Sequence, residues 1–116
     1  MKRFKNILYV TEETVDQASA VARAVSLAEN NQAELTILEV IPSVPNRLQA
    51  ETSAMRMQVL ESLIEPCRHR MKIRLDVRMG TVFLEIIRAV LRDGYDLVVK
   101  PAENPDFLKR LFGSDD

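Results

Sequence analysis

Phe4-Lys5-Asn6-Ile7-Leu8-Tyr9-Val10-Thr11-Glu12-Glu13-Thr14 is the stretch from which the fold is read. Its centre, Ile7 to Val10, is an unbroken apolar run with basic residues before it and polar ones after it. A strand with one wet face alternates, so a run without alternation predicts a strand covered on both faces, in the middle of a parallel sheet. Polar Thr11-Glu12-Glu13 follows and leads at once into a helix. In open parallel sheets this strand-to-helix turn faces the crevice where ligands sit, which makes Thr11 and Glu12 candidate ligand-facing residues.

Thr14-Val15-Asp16-Gln17 has the form of a capping box and predicts the start of that helix. Val15, Ala18, Val21, Ala22, Val25 and Ala28 then form one apolar stripe, and Asn30-Asn31-Gln32 ends the helix, with asparagine supplying the left-handed residue. Residues 34–40 (ELTILEV) are the second strand, closed by Ile41-Pro42. From about Arg47 a second helix carries Met55, Val59, Leu60, Leu63, Ile64 and Cys67 at helical spacing, until Pro66 forces a kink or restart at Glu65.

Residues 72–78 (KIRLDVR) alternate apolar and charged side chains, the pattern of an edge strand with one charged face. Gly80-Thr81 opens a third helix, with Val82, Phe83, Ile86, Ile87, Val90 and Leu91 as a broad apolar face and Gly94 as its stop. Residues 95–100 (YDLVVK) are the fourth strand, expected to be buried on both sides and stopped by Pro101. Strands alternating with helices specify an α/β fold, a parallel sheet with helices on both faces and right-handed crossovers.

At 116 residues the chain has room for one domain, and 47% apolar with 28% charged residues is the composition of a folded globular protein. Seventeen acidic and 16 basic residues leave a net charge of -1, too little field to draw nucleic acid or an anionic membrane. The longest apolar runs fall far short of the roughly 20 residues of a membrane helix, and no signal-peptide core follows Met1-Lys2-Arg3. A cytoplasmic protein is expected. Cys67 stands alone, so no internal disulfide forms, and one cysteine with one histidine makes no zinc site. No metal site and no catalytic residue is expected.

Read together and in order, these pieces resemble the universal stress protein family over essentially the whole chain. The matching stretches are Ile7 to Val10 with its polar turn, Ala33 to Val40, the Val77-Arg78-Met79-Gly80 entry to the third helix, Asp96 to Val99, and Gly113-Ser114. The resemblance implies a Rossmann-like sheet, of the adenine nucleotide alpha hydrolase-like kind, with strand order 3-2-1-4-5. It further implies a cytoplasmic stress-response role and a homodimer or tandem arrangement. Family members that bind ATP carry G-x-x-G-x9-G-[ST] after the fourth strand, where glycines let the backbone approach the phosphates. Here the leading glycine positions hold Pro101 and Asn104, and only Gly113-Ser114 remains. Proline offers no N–H and asparagine brings a side chain into that space, so the resemblance implies no bound cofactor and disfavours ATP. The family's last helix and fifth strand have no counterpart before Asp116, so the single domain, residues 1–116, reads as incomplete at its carboxyl end.

Adjacent Glu12 and Glu13 point apart at a strand end, which suits a solvated pair better than a catalytic one. His69 complements a helix carboxyl end, and Arg68, Arg70, Lys72, Arg74 and Arg78 form a basic stretch read as solvated. Three functional readings follow. The first is a non-enzymatic regulatory and interaction domain with weak or lost ATP binding, its open sheet edge serving dimerisation. The second is an ATP-binding switch in which Thr11, Glu12, Val40, Gly113 and Ser114 line a pocket, adenine packs beside Val40, and Lys100 reaches a phosphate. The third, an adenylating or pyrophosphatase-type enzyme, lacks a visible nucleophile.

Overall fold

A computed structural model describes residues 4–11 and 16–100. The first strand, β1 (Asn6–Val10), has Ile7, Leu8, Tyr9 and Val10 almost wholly buried. It is flanked in parallel by β2 (Glu34–Ile41) and β4 (Leu97–Val99), with β3 (Ile73–Met79) beyond β2, so the described sheet runs β3-β2-β1-β4. That is the order the family resemblance implies, with the central strand that the apolar run predicts. Asp96 secures the β1 to β4 pairing at its amino end, since its carboxylate accepts from the Lys5 and Asn6 amides at 2.9 and 3.1 Å while its own amide donates to the Asn6 carbonyl at 3.0 Å.

Side-chain alternation along β1 divides the core in two. Ile7 and Tyr9, with Leu35 and Ile37 of β2, pack beneath α1 (Gln17–Asn31) and the end of α2 (Asn46–Ile64). Leu8 and Val10, with Leu38, pack on the other face against Ala89, Ile86 and Val90 of α3 (Val82–Asp93). At about 1.5–3 kcal/mol for each large apolar side chain removed from water, these two layers supply most of the drive to fold.

The first helix begins differently from the expected capping box. Asp16 is its N-cap, accepting from the Ser19 amide at 3.3 Å and from the Ser19 hydroxyl at 2.8 Å, whereas Thr14 lies outside the described residues. The Ser19 hydroxyl and amide hold the Asp16 carboxyl below its usual value. Ala20, Val21, Ala24, Val25 and Ala28 line the sheet, and Ala18 faces out, because the buried stripe is shifted by the later start. The left-handed C-cap is Gln32 (φ 53°), since Asn31 is still helical and spends its side chain on the Leu27 carbonyl and the Phe4 amide.

In α2 only Leu60 and Ile64 are buried, and Met55 (61% exposed) and Val59 (43% exposed) stand out of the core, against expectation. Pro66 acts as predicted: the helix stops at Ile64 and a single 3-10 turn, Glu65–Cys67, brings Cys67 into the core. In α3 Glu85 and Ala89 are buried and Ile86 and Val90 partly so, while Phe83 (70% exposed) and Leu91 (80% exposed) fall on the outer side of the helix. A helix on a sheet touches along one line, and the broad apolar face of the sequence exceeds it. The fourth strand is likewise less covered than predicted, since it lies at an edge of the described sheet and Val98 is 38% exposed.

At the other edge, β3 turns Ile73, Leu75 and Val77 to the α1 and α2 layer and its charged residues to α3. Arg78 reaches Asp76 at 3.0 Å and Glu85 at 3.6 Å, Arg88 reaches Glu85 at 2.6 Å, and Arg92 reaches Asp76 at 3.9 Å. Charge complementarity here does the joining that apolar packing does elsewhere. The turn into α3 depends on Gly80, whose φ of +145° excludes ordinary side chains and whose missing Cβ leaves room for Glu85 Oε2, 3.0 Å from where that atom would sit.

Two tests follow from these contacts. Gly80→Ala should lower unfolding stability by about 2–3 kcal/mol, and Gly94→Ala (φ +73°, open space) by about 1 kcal/mol, measured by urea denaturation; equal losses would contradict the crowding at Glu85. The second test concerns Glu29, which bonds Arg70 across the α1 layer and whose carboxyl that bond holds below its ordinary 4.5. A depressed carboxyl adds stability above its unfolded value and loses it as pH falls through its folded one. The urea midpoints of the native chain and Glu29→Gln should therefore differ at neutral pH and converge at pH well below 4.5.

Candidate functional site

The carboxyl ends of the parallel strands form the crevice side of the sheet. Thr11 extends β1 by one step, its amide donating to the Leu38 carbonyl at 3.0 Å, so it lies alongside β2 just before Val40. On its other side Tyr9 pairs with Val99, which places Lys100 next to the same strand end. Thr11, Val40 and Lys100, distant in sequence, are thus gathered at one end of three adjacent strands. Thr11 and Val40 are half-buried and Lys100 is exposed. Val40 packs on the Leu8 and Val10 layer, which leaves its backbone at the rim. Glu12, Glu13, Pro101, Asn104, Gly113 and Ser114 lie outside the described residues.

Beside Val40 stands a residue that sequence reasoning passed over. Glu39 is 4% exposed and faces the same side as Leu35 and Ile37. Its Oε2 accepts from two nitrogens of Arg56 on α2, Nε at 2.9 Å and Nη2 at 2.8 Å, while Oε1 has no hydrogen-bond partner among the described residues. An ionised carboxylate in such a place requires its cation, and removing one member of a buried pair costs about 3–5 kcal/mol. The available signal was Glu39 itself, an acidic residue interrupting a strand otherwise apolar enough to be covered on both faces. Its partner, 17 positions on and in a separate helix, could not be picked out from spacing.

The basic stretch after α2 is largely committed within the chain. Arg68 pairs with Glu65 at 3.1 Å, Arg70 with Glu29 and the Ser26 hydroxyl, and Arg78 with Asp76 and Glu85. Lys72 and Arg74 line an open pocket of about 360 Å³ with Glu34 and Met71, at the amino end of the sheet and away from the crevice. Among the described residues no group of three or more His, Cys, Asp or Glu could hold a metal ion, and no helix is long and apolar enough to cross a membrane.

Comparison with known proteins agrees with this architecture. The family model described as "Universal stress protein family" matches residues 3–114. Among solved structures, the universal stress protein UspA from Lactobacillus plantarum is 22% identical, with 90% of this chain and 83% of that one covered at a TM-score of 0.59. Protein Rv1636 from Mycobacterium tuberculosis H37Rv is 17% identical over 100% of this chain and 94% of that one, with a TM-score of 0.67. A universal stress protein solved in complex with cAMP is 19% identical over 97% and 85%, with a TM-score of 0.70. No curated protein matches.

Proposed function

Because the chain belongs to the universal stress protein family, we propose that it is a non-enzymatic regulatory domain of the stress response, working by association, with ATP binding weak or lost. The observation that carries this reading is a strand, β4, that lies at an open edge of the sheet among the described residues. β4 hydrogen-bonds to β1 and to no other described strand, and Val98, in register with Leu8, faces the α3 side at 38% exposure. Phe83, Ile87 and Leu91, one stripe along α3, are exposed as well. An open strand edge with apolar neighbours is a template for another chain, and a second copy meeting it about a two-fold axis pairs like with like. The reading also draws on Pro101 and Asn104, which replace the glycines a phosphate loop needs. We place the protein in the cytoplasm, acting on protein partners rather than on nucleic acid or membrane.

A second reading, an ATP-binding switch, is favoured by one observation: Thr11, Val40 and Lys100 converge at one end of the sheet, in the fold of a protein whose structure holds cAMP. In that case Glu12, Gly113 and Ser114 complete the pocket. Two measurements separate the readings. Sedimentation of the whole chain should give a dimer, and Val98→Lys, which puts a charge on the edge, should give a monomer of unchanged fold; a native monomer at the highest soluble concentration removes the first reading. Calorimetric titration should be silent at millimolar ATP. Micromolar binding that Lys100→Ala weakens would establish the switch instead.

A further inference from the structure

We propose that the first part of α2, residues 46–59, is a latch over the crevice end of the sheet, held shut by the ion pair between Arg56 and Glu39. The inward stripe of α2 changes character along its length. Gln49, Thr52, Ser53 and Arg56 lead to Leu60, Ile64 and then Cys67 at helical spacing, polar in the first half and apolar in the second. No side chain from Asn46 to Val59 is buried, whereas Leu60 and Ile64 are wholly so. Little apolar surface is therefore lost when the first half leaves the sheet.

The start of the helix adds little hold. Its N-cap is Pro45, which makes no side-chain capping bond, and Gln49 turns its amide back to the Val44 carbonyl and the Asn46 side chain instead of to the sheet. Arg56 is the charged link from this half to the strands, and its carboxylate partner sits one residue from Val40. The segment thus combines few buried apolar contacts with residues that are all exposed or half-buried, the properties of a unit that opens below the cost of global unfolding. Leu60 is the fulcrum, and opening uncovers the buried Glu39 carboxylate beside the strand ends that bear Thr11 and Val40. The device depends on no reading of the ligand.

Hydrogen exchange on the whole chain tests it. In the native protein, amides of residues 46–59 should exchange through an opening that barely responds to denaturant, while those of β1, β2 and residues 60–64 exchange through a denaturant-sensitive one. Arg56→Ala should speed exchange of 46–59 by roughly tenfold or more, still through an opening that barely responds to denaturant, and β1 and β2, which start from the same destabilised closed state, should speed up by no more than that. Should Arg56→Ala fail to fold, Arg56→Lys, which keeps the charge but loses the two-nitrogen grip on Oε2, should show a smaller rise at the same residues, again through an opening that barely responds to denaturant. The double change Glu39→Leu with Arg56→Met replaces charge by apolar fit and should restore protection. Exchange of 46–59 in the native protein that is as sensitive to denaturant as that of β1, no acceleration in either single variant, or a double variant that stays open each overturns the latch.

Discussion

The two-sided burial of β1 is the constraint from which the architecture descends. Four consecutive side chains, Ile7 to Val10, are withdrawn from water on alternating faces. A strand buried in this way has no solvent to satisfy its backbone, so both of its edges must be hydrogen-bonded, here by β2 and β4. Each face must also be roofed. Right-handed crossovers permit one arrangement of the roofs: α1 and α2 on the side of Ile7 and Tyr9, α3 on the side of Leu8 and Val10. The convergence of Thr11, Val40 and Lys100 is a by-product of that arrangement, because parallel strands in register end at the same level.

What was legible in the sequence was what short-range pattern controls. The apolar run of β1, the alternation of β3, the stop at Pro66 and the stop at Gly94 each follow from a few neighbouring residues, whereas the strand order was implied by the family resemblance. The helix caps were less legible, since Thr14 and Asp16, like Asn31 and Gln32, stand within a few positions of each other and spacing alone does not choose Asp16 and Gln32. Apolar residues were over-assigned to the core in α2 and α3 for a geometric reason. Periodicity reveals that Met55, Phe83 and Leu91 lie near an inward face, but not how narrow the line of contact with a twisted sheet is.

The site divides along the same principle. Thr11, Val40 and Lys100 could be named because strand ends can be read. Glu39 with Arg56, and Glu85 with Arg78, were invisible because each of these pairings joins separate elements, whereas Glu85 and Arg88 lie three residues apart on α3, a spacing that the sequence does show. Both acidic residues sit where apolar ones are expected, and such a misfit in an otherwise hydrophobic strand or helix line is the signal to weigh in chains of this fold. Their positions also differ in kind. Glu85 is met by two arginines, whereas Glu39 leaves one oxygen unanswered among the described residues, which makes its neighbourhood the less settled of the two.

The ribbon of charge between β3 and α3 gives the sheet unequal ends. Exposed and half-exposed ion pairs weaken as ionic strength rises, because mobile ions shorten the reach of each charge to about 8 Å at physiological salt and less beyond it. Apolar layers respond in the opposite sense to strongly hydrated salts such as sulfate, which are excluded from the protein surface and favour compaction. In concentrated sulfate the β3 margin should therefore soften while the β1 and α1 interior tightens, so that one solute shifts rigidity from one side of the molecule to the other without altering a residue.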